Sequence, residues 1–191
     1  EFLPGAAAAI AARVCQQRRR LYAGFQPWQA GGQWALSGGR SATARAQAAA
    51  LAQAQLPASL PDALAALDAA LAEGRVWVAE LDGAVVGYAL ALDLDGQPHL
   101  EQISVLPSRA GRGVGRALIE AVAGWAAGRA PWLTLATYRD VEWNAPLYVH
   151  LGWEVMAEDD VRADARLLAV RAEEAEHGLD PDARVFLRRR V

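Results

Sequence analysis

Gly111, Gly113 and Gly115 stand at every second position of "SRAGRGVGRALIEAVAGW", residues 108–125, just ahead of a segment patterned as a helix. Glycines in that place let successive N–H groups point into one concavity at a helix N-terminus, where the peptide dipoles favour an anion. Spacing separates the phosphate loops that use this device. A dinucleotide fingerprint needs G-x-G-x-x-G opening a βαβ unit, and Arg116 stands where its third glycine belongs. A nucleoside-triphosphate loop ends in Gly-Lys-Ser/Thr, and all 19 basic residues of this chain are arginine. A plain tight turn is the remaining alternative. Two further residue types can move protons near neutral pH. The phenol of Tyr148, with a pKa of about 10, stays protonated and can donate, whereas His99, near about 6.5, can accept. Glu101 follows His99 at period two, so both are expected on one strand face with Ile103 and Val105.

The elements that must position these residues are legible in the middle of the chain. "RVWVAEL" (75–81), "AVVGYALALDL" (84–94) and "HLEQISVL" (99–106) read as strands. Asp82-Gly83 and "DGQP" (95–98) are turn signals, giving an antiparallel meander. Beyond Gly113, Val114, Ala117, Leu118, Ala121, Val122 and Trp125 recur at helical spacing. "PWLTLATY" (131–138) predicts a strand, "NAPLYVHLG" (144–152) a short helix capped by Asn144, and "WEVMAE" another strand. A polar helix around 162–177 and a last strand "ARVFLRR" complete the pattern. Upstream, 41–56 and a segment from Ser59 to Gly74 have helix character, the second with Pro61 in its first turn. The order predicts a mixed α/β domain with a partly antiparallel sheet. Residues 1–32 read as an extension before a domain over 33–191.

Length, charge and cysteine usage narrow the function. The 191 residues suffice for one domain with a full core. A net charge of -3 argues against the basic surface that nucleic acid requires. No apolar run reaches the roughly 18 residues of a membrane span, and the short run near the N-terminus lacks the order of a secretory signal. Cys15, the single cysteine, makes no internal disulfide and fits a reducing cytoplasm. His99, His150 and His177 have no metal-ligand spacing.

With those elements in place, "ISVLPSRAGRGVGRALIEAV" resembles the acetyl-CoA-binding motif of the GNAT superfamily of N-acetyltransferases, in which a strand ending V-x-P feeds a Q/R-x-x-G-x-G/A loop and a helix. "TLATYRDVEWNAPLYVHLGWEV" is similar to that superfamily's later segment, a short helix carrying N-x-P-x-Y and ending L-G-F/W. The resemblance spans about 75–158 and departs from the family at Ala110, where Gln or Arg is usual, with Arg109 adjacent. The family's first strand falls on "QWALSG" (33–38), a poor strand pattern.

The resemblance implies a mostly antiparallel sheet splayed between its fourth and fifth strands and flanked by helices, and acetyl transfer from acetyl-CoA to an amine of a small molecule or peptide. It implies Tyr148 as the acid that protonates the departing thiolate. His99, Glu101 or a water chain is the candidate base. The backbone of Ile103, Ser104 and Val105 is expected to pair with the pantetheine arm as a neighbouring strand would. Arg109, Ala110, Gly111, Arg112, Gly113, Val114, Gly115 and Arg116 are expected around the pyrophosphate, with Asn144 as a second cofactor contact and Trp143 lining the acceptor pocket. No metal is required, and a homodimer is compatible with the pattern. A GNAT-fold module that senses acyl-CoA without turnover, or a transferase using another acyl donor, is the alternative. Trp77, Trp125 and Trp132 are expected in the core, the acidic 158–160 run in a solvated loop, and Arg188, Arg189 and Arg190 at a solvated strand end.

Overall fold

The computed structural model describes residues 35–37, 70, 72–81, 84–109, 111–141, 144–176 and 179–191. The 1–32 extension, the 41–56 helix, most of the 59–74 helix, Cys15, Ala110, Trp143 and His177 lie outside them.

Seven strands form one sheet: β1 (Ala35–Ser37), β2 (Val76–Leu81), β3 (Ala84–Asp93), β4 (Pro98–Val105), β5 (Trp132–Tyr138), β6 (Glu154–Val155) and β7 (Arg184–Arg190), in the order β1-β2-β3-β4-β5-β7-β6. Every neighbouring pair is antiparallel except β4 and β5. The meander is set by its turns. Leu81 pairs with Ala84 around the Asp82-Gly83 step. Between β3 and β4, Asp95 and Gly96 both take positive φ, 56° and 86°, the backbone that a two-residue hairpin of matching twist demands. The short "ALS" run pairs with β2 despite its weak pattern.

Among the described residues, α1 (Val114–Ala126), α2 (Ala145–His150), α3 (Glu158–Ala163) and α4 (Ala165–Glu176) flank the sheet. The apolar stripe of α1, Val114, Leu118, Ile119, Val122 and Ala126, packs on Ala89, Ala91, Leu100, Leu133, Leu135 and Leu187. On the opposite face, Leu92, Leu94 and Phe186 meet Val161 of α3 and Leu167 and Val170 of α4.

Several expectations are corrected. The strand over 153–158 is only Glu154–Val155, because residues 158–163 turn helical. The acidic run is the first turn of α3, where three carboxylates favour the helix N-terminus. Glu158 holds Arg171 and Arg162, and Asp160 holds Arg188. Arg171 beside it keeps the Glu158 carboxyl below its usual range. The polar helix is split at Asp164, whose extended backbone separates α3 from α4. The closing arginines are not merely solvated: Arg188 also pairs with Glu154, and Arg189 with Glu120 of α1. Trp77 and Trp125 pack on the core and meet edge to face at 5.8 Å. Trp132 is instead half-buried beneath the guanidinium of Arg188, 4.7 Å from its ring.

Candidate active site

β4 is the strand on which the site is built. Its pairing with β3 slips by one residue, from Ala91↔Leu100 to Leu90↔Gln102, leaving Glu101 as the extra residue of a β-bulge. The slip breaks the expected alternation. Cross-strand partners share a face, so His99, opposite Leu92, lies on the face of α3 and α4, while Ile103 and Val105, opposite Ala89 and Gly87, lie on the face of α1. The expectation that residues 99, 101, 103 and 105 share one face is therefore corrected.

On its other edge β4 pairs with β5 only at His99↔Thr134 and Leu100↔Leu135. From Glu101 onward the two strands part, and β5 continues with β7 as far as Tyr138↔Arg184. Among the described residues, no pairing with β5 continues along Gln102–Val105. A strand edge of this kind accepts an extended chain by the hydrogen bonds of a sheet ladder.

The open edge leads directly into the glycine loop. The ladder of β3 and β4 ends with Leu106 N–H donating to Val86 O, and Arg109 N–H then donates to Leu106 O in the turn Pro107–Arg109. Gly111 and Gly113 take φ of 71° and 84°, a left-handed backbone that side chains resist. Gly113 occupies the N-cap of α1, and no side chain caps it. Among the described residues, a Cβ on either glycine would meet no atom within 4 Å. Gly115 differs in having ordinary helical φ, and its Cβ would touch Ile103 at 3.9 Å. Val114 is buried in the core, Arg109 is half-buried, and Arg112 and Arg116 are exposed.

His99 and Glu101 come together as expected, but deeper than a strand end suggests. Their side chains are 2% and 4% exposed, with His99 Nε2 3.9 Å from Glu101 Oε2. His99 Nδ1 lies 2.9 Å from Thr134 Oγ1, and Thr134 Oγ1 donates to Pro98 O at 3.1 Å. Thr134 was not legible as a site residue: its link to His99 arises from a parallel pairing 35 residues apart. Gly87 was missed as well. A Cβ there would stand 2.8 Å from Ser104 O and 3.1 Å from Val105, so glycine is what lets β3 and β4 close up beneath the open edge.

Tyr148 sits on α2, whose buried positions are Ala145 and Tyr148. It joins the cluster that contains Val105 and Val114, and its ring meets Trp153 edge to face at 5.6 Å. Burial pushes the phenol above its ordinary value, so it remains a protonated donor. Asn144 occupies the N-cap of α2 as expected, with Tyr148 N–H donating to its carbonyl, although its side chain makes no capping bond there. Among the described residues, no group of three or more His, Cys, Asp and Glu could hold a metal ion, and no helix is long and apolar enough to cross a membrane.

A sheet whose fourth and fifth strands part beside a glycine-capped helix is the GNAT architecture. Residues 72–155 match the family model described as acetyltransferase (GNAT) domain. Over these residues the chain is similar to the GNAT acetyltransferases. Two solved structures agree on the fold. The Arabidopsis thaliana Naa50 structure with a bisubstrate analogue, CoA-Ac-MVNAL, is 16% identical over 82% of this chain and 98% of its own, with a TM-score of 0.56. N-acetylglutamate synthase from Neisseria gonorrhoeae, complexed with coenzyme A and N-acetyl-glutamate, is 17% identical over 83% of this chain with a TM-score of 0.57, and the chain spans 35% of its length. An acetyltransferase structure from Bacillus anthracis with acetyl coenzyme A is 19% identical over 61% of each chain, with a TM-score of 0.47.

Proposed function

We propose that this protein transfers the acetyl group of acetyl-CoA directly to a primary amine of a small molecule or peptide. The observation that carries the reading is the continuity of the β4 edge, open from Glu101, with the left-handed Gly111 and Gly113 at the start of α1. An acyl-CoA fits these residues. Its pantetheine arm offers amides to the edge of β4 where β5 has parted from it, and its pyrophosphate suits backbone N–H groups at a helix N-terminus capped by glycine.

In this reading the backbone of Ile103, Ser104 and Val105 aligns the arm, and residues 109–116 hold the phosphates chiefly through the main chain. Arg109 adds charge from its half-buried position; exposed Arg112 and Arg116 contribute less. The thioester supplies an activated acyl carbon to a neutral amine. Glu101, at the point where the strands part and beside His99, receives the amine's proton. Tyr148, kept protonated by burial, gives its proton to the thiolate as it leaves. In this reading the base acts from the point on β4 where the strands part and the acid from α2.

Isothermal titration with acetyl-CoA, and with CoA as the product, tests the donor half of this reading. Saturable binding of both supports it. Absence of any heat or saturation with either removes the assignment of the loop.

A further inference from the structure

We propose that Thr134 is a positioning residue for the proton acceptor, acting by fixing which nitrogen of His99 carries the proton. A threonine hydroxyl has one hydrogen to give. Thr134 Oγ1 spends it on Pro98 O, a carbonyl that can only accept, at 3.1 Å. Its oxygen can therefore only accept from His99 Nδ1, 2.9 Å away, and Nδ1 must carry a proton. Nε2 of the neutral ring is then the basic nitrogen, and it is the nitrogen that faces Glu101. With the opposite tautomer two acceptors would confront each other at the 2.9 Å of Nδ1 and Thr134 Oγ1, whereas Nε2 and the Glu101 carboxylate stand 3.9 Å apart, beyond hydrogen-bond distance, in a site where His99 is 1% exposed.

The backbone around this hydrogen-bond chain is tied at several points. His99 and Thr134 are register partners at one of the two pairings that join β4 to β5. Gln97 Nε2 also donates to Pro98 O, at 3.0 Å, and to Trp132 O, at 2.7 Å, tying the starts of both strands.

The consequence for acetyl transfer, which rests on the function proposed above, is a place for the amine's proton. The N–H bond of the attacking amine breaks, its electron pair stays on nitrogen, and the proton passes to the Glu101 carboxylate. From there Nε2 can share it, across 3.9 Å that a water or a turn of the carboxylate bridges. The imidazolium so formed keeps its Nδ1–H on Thr134, while at the substrate the N–C bond forms, the C–S bond breaks and the departing sulfur takes the Tyr148 proton.

The test is nitrogen NMR of the full-length protein labelled with 15N-histidine, with His99 assigned by loss of its signals in His99→Gln. The wild type should show a neutral ring protonated on Nδ1. Thr134→Val should abolish that preference and Thr134→Ser should keep it. In parallel, Thr134→Val should lower kcat on the order of tenfold, part of what a positioned base supplies, with acetyl-CoA affinity unchanged and kcat restored by Thr134→Ser. A neutral wild-type ring protonated on Nε2 overturns the proposal, whether or not the valine variant folds. So does an unaltered ring in Thr134→Val, or a serine variant as impaired as the valine one. A wild type with the Nδ1–H ring that releases no CoA with any amine contradicts the acetyltransfer reading and leaves the tautomer assignment supported.

Discussion

The rings of Tyr148 and Trp153 meet edge to face, with centroids 5.6 Å apart and planes at 71°. The contact is reinforced through the backbone, because Trp153 N–H donates to Tyr148 O at 3.0 Å. One aromatic thus holds the rotamer of the other at the end of a helix only six residues long. Tyr148→Phe keeps the ring and the contact and removes only the hydroxyl proton. Turnover should fall roughly a hundredfold, the low end of what general acid catalysis contributes. Acetyl-CoA affinity, measured by titration, should stay within about twofold. Equal losses of affinity and turnover would move Tyr148 out of the acid role.

Gly113 should be sensitive to backbone chemistry and indifferent to space. At φ 84°, and with no atom of the described residues within 4 Å of where a Cβ would stand, alanine meets chiefly the left-handed penalty of roughly 1–2 kcal/mol. Gly113→Ala should lower the thermal midpoint and weaken acetyl-CoA binding together. Gly113→Asn, which tolerates this region better, should recover part of both. Denaturation and titration of the two variants check the order. Asparagine behaving no better than alanine contradicts the backbone explanation.

Gly87 should fail for the opposite reason. Its backbone is unstrained, but an added Cβ would press on Ser104 O at 2.8 Å and on both methyls of Val105 at 3.1 Å. Gly87→Ala should destabilise the fold by about 1–3 kcal/mol, as overpacking does. It should also weaken acetyl-CoA binding, because residues 104 and 105 form the open edge. An alanine variant with wild-type denaturant midpoint contradicts the close approach.

Glu120 and Arg189 form a two-point ion pair, at 2.6 and 2.8 Å, that ties α1 to β7. The hydrogen bonds from Arg189 hold the Glu120 carboxyl below its usual range, against the smaller effect of burial. A carboxyl lowered in the folded state stabilises above its unfolded pKa, and that contribution is lost as pH falls through the folded value. The pair is largely exposed, so Glu120→Gln should cost about 0.5 kcal/mol near neutral pH. The gap between variant and wild type should close in acid. A gap that persists or widens at low pH reverses the sign argued here.

How much of this was legible in the chain depended on whether a signal was local. The meander was, because Asp82-Gly83 and Asp95-Gly96 mark their own turns, and so was α1, because its stripe runs from Val114 without interruption. The bulge at Glu101 was not. In "PHLEQISV" Leu100 and Ile103 stand three apart, out of phase with a strand's period of two, and only pairing with β3 locates the extra residue at Glu101. The start of α3 was hidden because Glu154 and Val155 open as a strand, although the acids at 158–160 carry the signature of a helix first turn. Thr134 was beyond reach, since its hydroxyl matters only through a partner brought alongside by the single parallel pairing of the sheet.

Amine-dependent release of CoA thiol from acetyl-CoA, followed across a panel of small-molecule and peptide amines, tests the central claim most directly. The account predicts release that requires both enzyme and amine, with at least one amine turned over and product carrying one acetyl group on nitrogen. Tight acetyl-CoA binding with no release on any amine would contradict it and assign the open edge and glycine loop to a protein that senses acyl-CoA without reacting it.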